Sequence, residues 1–394
     1  MKLNFTINLI FTIALLINIR ISPQPLGYGY DKFIGNAYDP VIPASFDAYW
    51  NQITPGNSGK WGSVEGSRDV FSWSGADGVY NYAKQKGFSF KWHNLIWGQQ
   101  QPGWISALPA SEQLQEIEEW ISAVGQRYPE IDYVDVVNEP LNGHNQPDGG
   151  NGRANYKAAL GGNGSTGWDW VIKSFELARQ YIPNAKLLIN DYGIINDNTA
   201  TTNYLTVINL LKDRGLIDGI GVQGHRFELM NAPSNTLKSN LDRLAATGLP
   251  IYISELDLGP DNNAQPDEAL QLSAYQRVFP ILWEHPGVKG ITFWGYIQGQ
   301  MWQVNTYLVR SNGTETPAMQ WLRNYLSAGK TRSAKSGNWN DVSVWEVHDG
   351  TNWVPASNVP SVGDNSIIIS ANNTITVTES YSIDQLLVSL NGKL

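Results

Sequence analysis

The chain has 394 residues, 42% of them hydrophobic, and a formal net charge of −9; that length leaves room for one large domain and a small appendage. It has no cysteine, which excludes disulfides, thiolate zinc sites and thiol nucleophiles, so stability must come from a large core. An acidic surface argues against nucleic acid as a partner and suits a neutral polymer. Sixteen tryptophans exceed the ordinary demand of packing, and surplus indole suggests stacking surfaces.

The chain opens with Lys2 and the apolar run Leu9 to Ile17, the composition of a secretory leader. Residues 1–23 therefore read as a signal peptide, cleaved between Ser22 and Pro25, and the protein as secreted. An uncleaved anchor is the rival, although the run is short for a bilayer core of about 30 Å.

From Lys32 to Ser327 short apolar or β-branched runs alternate with helical patterns, the rhythm of β-α units on a parallel sheet. Eight strands are expected: Lys32–Asn36, Ala48–Ile53, Ser89–Leu95, Tyr133–Asn138, Lys186–Asn190, Gly219–Gln223, Pro250–Glu255 and Gly290–Trp294. Eight strands with intervening helices predict an α/β fold of the (β/α)8 TIM-barrel type over residues 24–329. Ser111 is expected to cap a helix with Leu114, Ile117, Trp120, Ile121 and Val124 on one face, and Asn235 another with Leu237, Leu241 and Leu244. A last helix runs from Pro317 and ends by Gly329. Residues 330–394 then change in texture. Lys330 to Gly337 is small and polar, as a linker would be, and Thr374 to Thr378 alternates with period two, so a small C-terminal all-β module is expected, the start of a longer β-domain or solenoid. Trp339, Trp345 and Trp353 are expected to fill its core rather than to bind sugar.

Two glutamates stand where chemistry is done in such a barrel. Glu139 follows the apolar run Val134 to Val137 and Asn138; Glu255 follows Ile251, Tyr252, Ile253 and Ser254. Both fall at carboxyl ends of strands, the face on which barrel active sites are assembled. Glycosidic cleavage needs one carboxylic acid to protonate the leaving oxygen and one carboxylate on the other side of the anomeric carbon. A retaining displacement sets their oxygens about 5 Å apart. A nucleophile has to stay ionised and wants hydrogen-bond donors around it, whereas an acid needs a different environment. Asn138 can donate to the sugar 2-hydroxyl, and indoles such as Trp294 and Trp302 pack on pyranose C–H faces.

VDVVNEP at 134–140 resembles the acid/base signature of glycoside hydrolase family 10 xylanases, and YISELDL at 252–258 is similar to their nucleophile signature. The resemblance runs from Phe33 to Tyr325. It implies a secreted endo-1,4-β-xylanase with Glu139 as acid/base and Glu255 as nucleophile, needing no cofactor and no metal. Its partners would be xylan and xylo-oligosaccharides, with no nucleic acid and no membrane once the leader is gone, and the protein would act as a monomer. FKWHNLIWGQQQPGW at 90–104 is similar to the family's third-strand segment, which implies that His93 contacts the sugar in subsite −1, Trp97 shapes that subsite and Gln100 adds a hydrogen bond. LLINDY at 187–192 matches the fifth-strand motif and places Tyr192 toward substrate. IDGIGVQGH at 217–225 matches the sixth, so Gln223 and His225 would hold Glu255 while Asp257 orients His225. TFWGYIQGQMW carries Trp294 and Trp302, similar to the family's paired tryptophans. After the second strand Asn57, Lys60 and Trp61 match, but Gly56 replaces the usual glutamate. Gly98 stands where a second histidine is usual, and Val134 where a tryptophan is. Weakened glycone binding with intact catalytic machinery is the expectation. The alternatives are another barrel β-1,4-glycanase, such as a glucanase, and a noncatalytic polysaccharide-binding barrel.

Overall fold

The computed structural model describes residues 24–38, 41–364, 366–383 and 385–394; the leader read over residues 1–23 lies outside them. Among the described residues no helix is long and apolar enough to cross a membrane.

Eight parallel strands close into a barrel in chain order: β1 (Phe33–Ala37), β2 (Gln52–Thr54), β3 (Ser89–Ile96), β4 (Tyr133–Asn138), β5 (Lys186–Asp191), β6 (Gly219–Val222), β7 (Ile251–Leu256) and β8 (Val288–Phe293), with β8 pairing back to β1. Helices pack on the outside, so almost every strand residue is buried whichever way it points. Seven strands lie within two residues of their expected bounds. The second does not: Phe46–Ala48 is a turn of 3-10 helix, and Tyr49 and Trp50 leave the ladder to pack against Tyr296, Trp50 also against Phe293. Two helix starts also differ from expectation. Pro109 and Pro233 occupy the capping positions of Ala110–Arg127 and Ser234–Ala245, so Ser111 and Asn235 lie inside the first turn. The last helix, Pro317–Ser327, is capped by Thr316.

The barrel interior is layered in a way that serves the open end. Its floor is aromatic: Phe33 stacks on Tyr252 at 5.8 Å and both meet Tyr133. Gly290 makes room for this plug, since a Cβ there would sit 2.3 Å from the Phe33 ring. Above it the interior is polar, with Thr292 donating to Gln52 (2.8 Å) and buried Lys91 paired to Asp135 (2.9 Å). Buried polar groups of this kind persist only when partnered, and here the partnering builds a rigid base under the mouth.

Most of the indole surplus is core. Trp61 and Trp73 each stack on Trp120 (5.7 and 5.9 Å), and Trp92 leans on the same ring at 6.1 Å; pairs of this kind contribute about 0.5–1.5 kcal/mol beyond their buried area. Trp104 is half-buried and donates to the carbonyl of Glu65.

The residues after 329 form β9 (Lys330–Ser333), β10 (Gly337–Asn338), β11 (Trp345–His348), β12 (Trp353–Pro355), β13 (Ser366–Ile369), β14 (Ile375–Thr376) and β15 (Leu386–Val388). The first four residues of the stretch with linker-like composition are thus a strand. In the five-stranded sheet β12-β11-β9-β13-β15, β9, β13 and β15 run parallel, while β10 and β14 pair parallel in a second sheet, so the chain returns beside itself in the manner of a solenoid. Trp339 and Trp345 are buried between the sheets with Ile367, Ile369 and Ile375. Trp353 is half-buried under the Arg332 guanidinium at 4.2 Å.

Candidate active site

At the carboxyl ends of the strands lies a cleft of about 880 Å³. Of the fourteen candidate residues, thirteen line it: Asn57, Lys60, His93, Trp97, Gln100, Asn138, Glu139, Tyr192, Gln223, His225, Glu255, Trp294 and Trp302. Asp257 sits one layer behind.

Glu255 closes β7. Its Oε1 accepts from Asn190 Nδ2 (2.8 Å) and its Oε2 faces His225 Nε2 (3.2 Å). Behind the imidazole, His225 Nδ1 meets Asp257 Oδ2 at 2.9 Å, and the other Asp257 oxygen accepts from the Arg226 backbone. Burial by itself would raise the pKa of Glu255. The His225 hydrogen bond outweighs it, with the charges of His93, His225 and Lys91, and the carboxyl is pushed down to about 2. For His225 burial opposes the charged form too, yet Asp257 and Glu255 together hold its pKa well above the usual imidazole value. An imidazolium donating from both nitrogens, one to each carboxylate, fits both distances.

A stability consequence follows from that raised value. Below the unfolded-state histidine pKa of 6.5 the stabilisation is fully present, and it is lost as pH climbs toward the folded-state value. The thermal midpoint is expected to be lower at about pH 9 than at about pH 6, and His225→Gln, which cannot titrate, should flatten that part of the curve. Scanning calorimetry across this range checks it; an equal slope in the variant would sink the assignment.

Glu139 emerges from β4 with φ at +58°, a left-handed backbone that a non-glycine residue adopts at a cost of about 1–3 kcal/mol. The β4–β5 register slips between Asp135 and Val137, and the Glu139 amide then donates to the Asn190 carbonyl at 2.7 Å. This kink aims the side chain into the cleft. Its Oε2 accepts from Trp97 Nε1 (2.9 Å) and from Asn145 Nδ2, and its Oε1 from Gln223 Nε2 (3.0 Å) and, at longer range, Asn138 Nδ2 (3.4 Å).

Gln223 is the point at which the structure departs from the expected roles. Its side chain reaches Glu139 and, at 3.5 Å, Asn138 Oδ1, whereas only its backbone carbonyl serves Glu255, accepting from that residue's amide at 2.9 Å. Asn190 takes the place at Glu255 that Gln223 was expected to fill. Asn190 Nδ2 also donates to Asn138 Oδ1 (2.8 Å), so a chain of side-chain amides joins the two glutamates beneath the cleft floor.

Around the carboxylates, His93 Nδ1 meets Asp135 Oδ2 at 2.9 Å and its ring stands edge-on to Trp294 at 5.0 Å. Lys60 Nζ donates to Gln100 Oε1 and lies 5.1 Å above the Trp97 ring, while Gln100 Nε2 donates to Asn57 Oδ1 at 3.3 Å. Gly56 lines the cleft beside this cluster without a side chain. Val134 is buried on β4. Tyr192 stacks on His144 at 3.9 Å, and His144 is fixed by Asp191 (2.6 Å). Trp302 is 53% exposed and stands edge-on to His225 at 5.0 Å, with Phe227 beside it. Sequence reasoning missed Asn190, Lys91, Asp135, Asn145 and Phe227. Asn190, Lys91 and Asp135 carried a signal, lying inside the LLINDY, FKWHNLIWGQQQPGW and VDVVNEP segments already singled out.

A closed (β/α)8 barrel whose fourth and seventh strands each end in a carboxylate on one aromatic-walled cleft defines a barrel glycosidase framework. The model described as glycosyl hydrolase family 10 matches residues 30–325, and the chain belongs to that family. It is 42% identical to endo-1,4-beta-xylanase B of Cellvibrio japonicus (strain Ueda107) over 300 residues, 75% of this chain and 46% of that protein. It is 32% identical to endo-1,4-beta-xylanase A of Phanerodontia chrysosporium over 299 residues, 74% of this chain and 69% of that one. The match thus spans about half the Cellvibrio protein. Among solved structures, native xylanase 10B from Thermotoga maritima has the same fold with a TM-score of 0.67, at 24% identity and covering 78% of this chain and 98% of that one.

Proposed function

We propose that the protein is a secreted endo-1,4-β-xylanase that cleaves internal β-1,4-xylosidic bonds with retention of configuration. One observation carries this reading: the two family-motif glutamates open on the same cleft with unlike surroundings. Glu255 is held ionised by an imidazolium and an amide, and Glu139 is held by four neutral N–H donors.

In the first step the Glu139 carboxyl gives its proton to the glycosidic oxygen while a Glu255 oxygen attacks the anomeric carbon from the α face. The C–O bond to the leaving sugar breaks, and a glycosyl ester forms on Glu255. Glu139, now a carboxylate, takes a proton from water, which attacks from the β face and releases Glu255. His225 and Asn190 share the charge that returns to Glu255 at that moment. His93, Trp294 and the Asn57–Lys60–Gln100 cluster are placed to hold the glycone sugars. Trp302, being exposed, packs on a sugar face only when substrate is bound. That the relatives are endo-1,4-beta-xylanases supports xylan as the polymer. Secretion rests on the Leu9 to Ile17 run.

One experiment tests these points together. Protein recovered from the medium of an expressing culture has its N-terminus sequenced and is given soluble xylan or carboxymethylcellulose, with the first product's anomer followed by NMR. A mature N-terminus near residue 24, preference for xylan and an initial β-anomer are expected. An initial α-anomer removes the retaining mechanism, and preference for carboxymethylcellulose makes the chain a glucanase.

A further inference from the structure

We infer that Asn145 is a positioning residue for the acid/base Glu139, and that glycine at position 98 is what admits it to the site. This rests on the acid/base role proposed above and adds a determinant of which oxygen carries the proton.

Asn145 lies on the segment that follows β4. Its Nδ2 donates to Glu139 Oε2, the same oxygen that accepts from Trp97 Nε1 at 2.9 Å. The carbonyl end of the Asn145 amide is occupied in turn, accepting from Gln99 Nε2 at 2.9 Å. That leaves the amide's N–H groups turned toward Glu139. A carboxylate oxygen offers two lone-pair directions, and on Oε2 both are filled by N–H donors. Oε1 takes one short donor, Gln223 at 3.0 Å, and a long one from Asn138 at 3.4 Å. A proton on Oε2 would displace Trp97 or Asn145, so it is confined to Oε1. Without Asn145, Oε2 regains a free direction, and protonation divides between a productive and an unproductive oxygen.

The backbone at residue 98 makes this arrangement possible. Gly98 N donates to the Asn145 carbonyl (2.8 Å), and the Gly98 carbonyl accepts from Ala154 N (2.9 Å). A Cβ on residue 98 would lie 2.4 Å from the Asn145 oxygen and 2.5 Å from that of Gln146, both main-chain atoms that cannot swing aside. Any side chain there displaces the segment and withdraws Asn145. The absence of a side chain at 98 and the placement of the Asn145 amide are thus coupled through this backbone contact. Gln146 fixes the same turn by donating to the Pro140 carbonyl and accepting from Lys157.

The titratable and charged groups facing Glu139 are Asp191, His144 and Tyr192 on the β4–β5 side and Glu255, His225, His93 and Lys60 across the cleft. Substitution at 145 leaves all of them in place.

The test measures kcat/KM against pH for the whole protein, Asn145→Ala, Asn145→Asp and Gln99→Ala. Two substrates are used, xylohexaose and a dinitrophenyl xylobioside whose leaving group departs without a proton. On xylohexaose Asn145→Ala should lose roughly tenfold, the worth of one hydrogen bond to a charged group. The basic limb of its profile should move to higher pH, because one donor to the ionised form is gone, and the acidic limb should stay. Asn145→Asp sets a carboxylate against Oε2 and should move that limb further; Gln99→Ala should move it less. On the dinitrophenyl substrate the losses should be several-fold smaller. Unchanged basic limbs, or equal losses on both substrates as loop collapse would produce, overturn the inference. Should Asn145→Ala fail to fold, the isosteric Asp variant and Gln99→Ala decide by the same criteria. If instead Glu139→Ala keeps the wild-type basic limb, the acid/base reading itself is lost.

Discussion

Glu255→Gln is expected to lose turnover by roughly 10⁴-fold or more on polysaccharide and on activated aryl glycosides alike. The reason lies in what keeps this side chain charged. Burial at the end of β7 favours the neutral acid, and the His225 hydrogen bond with the charges of His93, His225 and Lys91 reverses that, bringing the carboxyl to about 2. Near neutral pH the group is therefore a carboxylate. An amide of the same shape has no charge to attack with, so no glycosyl ester forms however good the leaving group. The sugar contacts proposed for His93, Trp294 and Trp302 are untouched, so xylohexaose affinity should hold within a few-fold while kcat vanishes. Titration calorimetry beside single-turnover kinetics separates the two quantities. Equal loss of binding and turnover would mean that Glu255 shapes the cleft rather than reacts in it. Retained turnover on the aryl substrate would move the nucleophile elsewhere.

How far the sequence led depended on the distance over which each feature is determined. Strand ends and motif residues are local: apolar runs bounded by polar turns marked β3 to β7 closely, and thirteen of fourteen candidate residues reached one cleft. The failures are nonlocal. Tyr49 and Trp50 read as strand, but their rings find better burial against Tyr296 than a place in the ladder. Ser111 and Asn235 read as caps by residue type, yet the preceding prolines set the extended backbone at the helix entrances. Lys330 opens a polar stretch, but its side chain is buried, donating to the Tyr28 carbonyl and lying 4.5 Å from the Tyr30 ring; loss of hydration brings its pKa down to about 7. Nothing in its neighbours in sequence announces that environment. Gln223 and Asn190 exchanged their expected partners because an amide at a strand end can reach either neighbour across a barrel mouth. The acidic segment from Asp257 to Asp267 uses its carboxylates internally: Asp257 on His225 and Arg226, Asp261 on Arg226, Asp267 as a helix cap. Asn145 was the least legible, since an asparagine between His144 and Gln146 in a loop carries no mark of the carboxylate it serves.

Glu139→Ala should show the complementary pattern, losing roughly 10²–10⁴-fold on xylohexaose and far less in the first step on a dinitrophenyl xylobioside. Leaving-group departure without a proton bypasses the acid, but the second step still wants a base. The glycosyl ester on Glu255 should then build up and appear as a burst of dinitrophenolate followed by slow turnover. A small anion such as azide fits the space vacated by the carboxylate and needs no proton removed. It should restore the rate and yield a β-xylobiosyl azide, because it attacks the ester from the face that water would use. The strained backbone at φ +58° stays in the variant, so the change reads the carboxylate and not a relaxed strand end. An α-configured azide, or rescue in Glu255→Ala and not in Glu139→Ala, would exchange the two roles. The absence of a burst with full loss on both substrates would make Glu139 a scaffold for Trp97 and Gln223 rather than the group that moves the proton.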